Sequence, residues 1–589
     1  MELNQKEDTM MKKISTYFRV FAVLLMAGAA FSACSSDNDE IGKQIEEKAE
    51  TGEWTMTVQV NKVEFEDTDN ANKSSVRATG TRSIGFNGSE TNLAAYWQQG
   101  EEVKVVQEKD DGTGFEVIGT LKSKEYSNTG ATTLSGTLTK APNNKGLMFY
   151  LHEAECDWTG QTGSLEDISL HSDFALAILG QGDYVIDDEA KTVTISQGIK
   201  FKRMNAIVRF DFKDVSGNEV NVKTLTIFDD GNTFNGEPAL YKTDDIVSKG
   251  KTYGNLVINQ QFASSRVFAS IHTTGNMNLG LKVEADDGST YVYVPSQPVN
   301  FVDGKYYRIN VTLKKAIDLS KIKEEDTDPD GNYRIYRIND GDIVTGELAK
   351  YHRLSVAGGA KITLCYATHN SFNGRSGLIC DGDATITLEG KNTLIGDQGA
   401  GIYVAKGTTL TIKGTGTLIA TGYDSDDMEN GAGIGAYSTA PCGNIVIEGG
   451  TIIATGGSGC AGIGSGYSYS SSSEAYRSVC GDITITGGTV TATGKGTAAG
   501  IGCGPGGACG NITITSGAKK VTATAGSRGG EYVPPIGKSV DNGKCISQCG
   551  DITIDGTTTW TAGTPTTNFN WTTSTVDNCR QWTLTNKRQ

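Results

Sequence analysis

Carboxylates, tyrosines and cysteines are the side chains here whose grouping could do chemistry. The densest acidic stretch, YDSDDMEN, places Asp424, Asp426, Asp427 and Glu429 in one short segment, where oxygen donors could gather a hard cation such as calcium. It lacks the glycine and terminal glutamate spacing of an EF-hand loop, so a solvated turn competes with the metal reading. Tyr423, Tyr437, Tyr467, Tyr469 and Tyr476 crowd the same part of the chain. Exposed aromatic rings can stack on the apolar faces of sugars, which makes these five the candidate carbohydrate contacts; covering apolar loop stems is the alternative. A glycan-cleaving site would need clustered carboxylates with a base or acid close by. Asp381, Asp383 and Asp397 are dispersed, and Asp482 and Asp551 exchange with Asn444 and Asn511 at one repeated place, which fits a turn cap rather than a general base. No residue is assigned a catalytic role.

The elements that must position these residues are repeats. The phrases KITLCY (from Lys361), TITLEG (Thr385), TLTIKG (Thr409), NIVIEG (Asn444), DITITG (Asp482), NITITS (Asn511) and DITIDG (Asp551) recur with alternating apolar positions, the period of a strand with one buried face. Gly-Gly or Gly-Thr splits each copy into two strands. The phrase AGIG (at 432, 461 and 499), with PIG at 535 and GIY at 401 as variants, offers a third short one. Such a unit cannot bury its apolar face alone, but stacked on its copies it can. The expected architecture is a right-handed parallel β-helix over residues 341–575, seven coils rising about 4.8 Å each. A propeller would need longer repeats of four strands. Cys442, Cys480, Cys509 and Cys549 hold one repeat position, so they should stack, as buried thiols or with some of them paired in an oxidising compartment. By the same logic Tyr437 and Tyr467, each just after a GIG, should lie close together on neighbouring coils.

The start of the chain reads as an export signal over residues 1–33. Met11, Lys12 and Lys13 precede an apolar core, Val20 to Ala30, that is too short to span a bilayer; Met10 or Met11 suits the start of such a signal better than the polar residues before it. The core runs into FSAC, which resembles a bacterial lipobox. That resemblance implies a lipid on Cys34, an acidic tether over 34–50, and a protein held peripherally at the outer membrane. The net charge of −16 argues against nucleic acid as a partner.

Residues 51–316 carry different text. In WTMTVQV, Trp54, Met56, Val58 and Val60 share one face. Alternating runs follow at 96–106, 201–214, 223–230 and 304–315, separated by turn residues, and these imply antiparallel β-sandwiches. A charged segment, 317–340, reads as a linker to the repeats. The order of FSAC, early strand, arginine-bearing linker NKSSVRATGTRSIGF, YWQQGEE and GKYYRINVTL resembles the fimbrillin family of lipoprotein pilins. The resemblance implies cleavage after Arg77 or Arg82, release of the strand Trp54 to Val60, and strand exchange with other fimbrial subunits. The appended repeats depart from a pilin that donates its own C-terminal strand, so an accessory or tip position is expected, at the cell surface or in a fimbria.

GLICDGDATITLEGKNTLIG and GAGIG…CGNIVIEGGTIIATGG resemble the carbohydrate-binding β-helix domain of a bacterial surface-protein family with pectin-binding members, over about 345–560. That resemblance implies a glycan partner, with calcium in some members, and transfers no binding residue. The expected function is a surface adhesin. A structural spacer and a β-helix lyase or hydrolase are the alternatives, the enzyme disfavoured by its missing acid–base pair.

Overall fold

The computed structural model describes residues 53–62, 66–67, 84–86, 93–127, 130–151, 158–195, 197–230, 255–273, 275–330, 333–349, 351–372, 376–425, 430–468, 477–527, 533–539, 547–554, 557–558, 571–576 and 581–586. Among these the fold is all-β, with helix limited to single turns such as Leu165–Asp167 and Leu319–Lys321. No described helix is long and apolar enough to cross a membrane. Cys34, Arg77 and Arg82 lie outside the described residues.

The strand Trp54–Lys62 alternates as its sequence implies, with Met56, Val58 and Val60 buried and Thr57 and Gln59 exposed. Its neighbours were not legible. It pairs antiparallel with Ala131–Leu138 on one edge, and parallel with Thr192–Ile195 and Ile199–Arg203 on the other. From Ile199–Arg203 the pairing continues through Ala175–Leu179, Leu147–Leu151, Glu102–Glu108 and Phe115–Ser123 back to Ala131–Leu138. The sheet therefore closes on itself through Trp54–Lys62, around a core that includes Trp97, Phe149 and Phe201. A simple antiparallel sandwich would not have used parallel partners here.

A second all-β unit follows. Ala206–Asp214 pairs antiparallel with Arg266–Ile271 and parallel with the long strand Lys305–Asp318. Val222–Asp229 pairs with Asn255–Ser264 and Leu279–Ala285, and Thr290–Tyr293 leads back to Lys305–Asp318. Phe210, Phe212, Leu225, Ile227 and Leu281 are among the side chains filling its centre.

Lys305–Asp318 does not end at a linker. Its last residues pair parallel with the strand Ile343–Glu347, Ile317 opposite Val344, and Ile343–Glu347 pairs with the first repeat phrase. Within 317–340, Tyr333–Ile338 forms a hairpin with Asp328–Asp330 and a parallel pair with His352–Val356. The segment expected as a charged linker thus supplies strands to the stack. Most of its charges stay outside, Asp318 being buried against Lys282, while Leu319, Ile335 and Ile338 turn in. YRIYRI shares only its isoleucines with the Gly-Thr-Ile phrases, so it carries no visible repeat signal.

Beyond this point three ladders run up the stack. The first joins the repeat phrases in order, the second their partner strands such as Thr417–Thr421, Thr451–Thr455 and Thr489–Thr493. The third joins Leu378–Cys380, Ile402–Val404, Ile434–Gly435, Ile463–Gly464, Ile501–Gly502 and Ile536–Gly537, the AGIG phrases and their variants. Ile386, Leu388, Ile412, Ile445, Ile483 and Ile512 are fully buried in one continuous core. One step differs from the phrase alignment: Thr385 sits opposite Thr411, not Thr409. A slip of two residues keeps the inward set inward, whereas a slip of one would have turned it out.

Candidate functional site

The corners of the coils explain the exchange of Asp with Asn. Oδ1 of Asn444 accepts the backbone N–H of Asp482 at 2.9 Å, Oδ1 of Asp482 accepts that of Asn511 at 2.7 Å, and Oδ1 of Asn511 accepts that of Asp551 at 2.9 Å. Both residue types own the oxygen, so either serves. The glycine before each corner has a reason too: a Cβ on Gly481, Gly510 or Gly550 would land on Oδ1 of the corner below it. Asn444, Asp482 and Asn511 are staples, each with its Oδ1 committed to the next corner.

The loops beside the third ladder hold the tyrosines. Gly435 takes a φ of +136°, and a Cβ there would strike the carbonyl of Gly464 on the next coil. The chain then turns out through Tyr437, whose carbonyl accepts from the Ala440 N–H at 3.1 Å and from the Ser478 hydroxyl at 3.2 Å. The Tyr437 ring, 36% exposed, lies 5.1 Å from the Tyr403 ring at an interplanar angle of 51°. Tyr403 is half-buried, donates its hydroxyl to the Pro441 carbonyl at 3.1 Å, and sits opposite Gly435 in the third ladder. Burial, and next to it the Tyr437 hydroxyl, pushes the Tyr403 phenol up to about 12, so it stays neutral and able to donate. Tyr437 and Tyr467 do come from neighbouring coils, with the Thr439 N–H donating to the Tyr467 carbonyl at 3.0 Å. The ring set beside Tyr437, however, is that of Tyr403. The Tyr467 ring lies over Gly459, where a Cβ would be 3.1 Å from its Cδ2. Tyr403 was missed because it occupies the GIY variant, where every later coil has glycine.

Tyr423 is half-buried at the stem of the acidic loop. Its N–H donates to the Gly399 carbonyl at 2.9 Å, and Asn430 closes the stem through Ser425 at 2.7 and 3.1 Å. Asp424 meets Lys495 from a higher coil at 2.6 Å, an ion pair between half-exposed groups that occupies one of the oxygens a cation would need. Asp426, Asp427, Glu429, Tyr469 and Tyr476 lie outside the described residues. Among the described residues no group of three or more His, Cys, Asp or Glu is arranged to hold a metal ion. Asp383 caps the Thr409 N–H at 2.8 Å, and Asp381 faces Arg337 at 3.7 Å.

A family model described as a beta helix repeat matches residues 410–436, 445–467 and 483–505. No curated protein matches the chain. Among solved structures, the chain is similar to a candidate cell adhesion protein from Bacteroides uniformis, at 13% identity over 44% of this chain and 95% of that one, TM-score 0.24. It is also similar to another from Bacteroides ovatus, at 15% identity over 45% and 96%, TM-score 0.26. A third is the tip fimbrial protein Mfa3 from Porphyromonas gingivalis with C-terminal truncation, at 12% identity over 45% and 98%, TM-score 0.21.

Proposed function

We propose that this protein is a cell-surface lipoprotein, an accessory or tip fimbrial adhesin, whose repeat stack binds carbohydrate on the side of the Tyr403–Tyr437 pair. The observation that carries the reading is that pair: two rings 5.1 Å apart, one 36% exposed, standing beside the loops where the stack departs from its repeat. A half-exposed ring beside a phenol that is neutral and fixed offers a face for a sugar and polar atoms for its hydroxyls. Among the described residues, Asp383 is committed to the Thr409 N–H and Asp424 to Lys495, which supports a role in binding rather than catalysis.

In this reading the stack is a right-handed parallel β-helix, the hand that twisted strands favour in their crossovers, and the units before it are fimbrillin-like sandwiches. Cys34 carries the lipid, and Arg77, with Arg82 second, is the maturation site. The continuous pairing of Lys305–Asp318 into Ile343–Glu347 favours a second reading, in which the stack chiefly projects the chain from the cell. A glycan array probed with the full chain separates the two, since a fragment cut at 345 would sever Ile343–Glu347. Retention of acidic or neutral glycans supports the adhesin, and no retention leaves the spacer. Cys34→Ser should release the protein from membranes; a variant that still fractionates with the outer membrane would contradict the anchor.

A further inference from the structure

At the upper end of the stack three sulfurs converge. Cys480, Cys509 and Cys549 are register partners in a short parallel ladder. Cys503 comes from a different ladder, directly after Ile501–Gly502, and its Sγ lies 3.0 Å from that of Cys509. Cys503 is fully buried, Cys509 is 7% exposed, and Cys549 is half-buried within hydrogen-bond reach of both. Between Cys503 and Cys509 the chain is Gly-Pro-Gly-Gly-Ala, a tight turn that returns one sulfur to the other.

We propose that Cys503 and Cys509 are a disulfide-forming pair, oxidised in the exported protein, with Cys549 left as the neighbouring thiol. Ladder partners stack with their Cα–Cβ bonds side by side, which sets the sulfurs parallel. Cys503 instead comes from another ladder and brings its Sγ to 3.0 Å from that of Cys509, a small side-chain movement from the roughly 2.05 Å of a disulfide. Shared zinc ligation fits less well. Four thiolates at about 2.3 Å from zinc would hold their sulfurs roughly 3.8 Å apart, wider than this contact.

The chemistry balances as thiol–disulfide exchange with a protein or low-molecular-weight disulfide, RSSR. The Cys509 thiolate attacks one sulfur of RSSR, forming a mixed disulfide and expelling RS⁻. The Cys503 thiolate then attacks the Cys509 sulfur, forming the intrachain bond and expelling the second RS⁻. The two thiol protons go to the two leaving thiolates, and RSSR is reduced by two electrons to 2 RSH. Burial of both sulfurs places the reaction before the last coils close.

The inference rests on the surface reading for its oxidising surroundings, so the test uses full chain recovered from the cell envelope, with its outward location checked by protease shaving of intact cells. The protein is denatured without reductant, alkylated and mapped by mass spectrometry. The expected result is a peptide with Cys503 and Cys509 unalkylated and joined, and Cys549 alkylated; Cys549→Ser leaves the joined peptide unchanged. Alkylation of both Cys503 and Cys509 in outward-facing protein overturns the pair while sparing the surface reading. A link through Cys549, or loss of the bond in Cys549→Ser, also overturns it. Protein found only inside the cell would sink the surface reading, and a joined pair there would show that the bond does not need export.

Discussion

The Cys-Gly-Asx corner assigns one side-chain oxygen per coil to the backbone of the next, and its neighbours follow from that assignment. Asp482 illustrates it: its N–H is received by Asn444 and its Oδ1 receives Asn511. Asp482→Ala should lose an acceptor and leave the Asn511 N–H to water, at about 0.5–1.5 kcal/mol. Asp482→Asn should melt close to wild type, because the accepting oxygen is kept. Thermal melts of the two variants decide it, and equal losses would mean that charge, not the acceptor, matters. This much was legible, since free exchange of Asp and Asn in the sequence already spoke for a cap. Tyr403 was not, because a ring that replaces a glycine once gives no periodic signal, and its partner Tyr437 is thirty-four residues away.

At the scale of the element, the strand Trp54–Lys62 closes the first sheet, and its last inward residue is a lysine. Burial pulls the Lys62 ammonium down to about 8, against the opposing pull of Glu101. Its Nζ pairs with Glu101, donates to the Tyr96 carbonyl at 2.9 Å and lies 4.2 Å from the centre of the Trp97 ring. Lys62→Met should leave the buried Glu101 carboxylate without its ammonium partner, with the Gln98 N–H still donating to it, and cost about 3–5 kcal/mol. Lys62→Met with Glu101→Gln should recover a good part of it. Denaturant titration of both variants is the check, and an additive double variant would remove the pair from the account. Alternation along this strand could be read from the sequence. Its parallel neighbours could not, because they lie more than a hundred residues downstream and local pattern carries no register.

For the whole molecule, the junction between the second unit and the stack is a packed interface. The Phe228 and Tyr366 rings stack at 4.1 Å, Lys282 pairs with Asp318 at 2.7 Å, and Lys314 pairs with Glu389 at 2.7 Å. Beside them Asp230 has its carboxyl raised from 3.8 to about 6, first by burial. A raised acid favours the folded state when protonated. Its contribution is therefore full below pH 3.8 and fades as pH climbs through 6. Asp230→Asn should flatten that part of the stability–pH curve, and an unchanged slope between pH 4 and 6 would place the titration elsewhere. The charged wording of 317–340 concealed this junction, since its few inward side chains are spaced among residues that face water.

The central claim, that the stack holds carbohydrate at the Tyr403–Tyr437 pair, is tested most directly by titrating the glycan that the array selects against full-length wild type and Tyr437→Ala, with a melt on each. One exposed ring contributes about 0.5–1.5 kcal/mol, so the account predicts a several-fold to tenfold weaker Kd for Tyr437→Ala at an unchanged Tm. An unchanged Kd would contradict it.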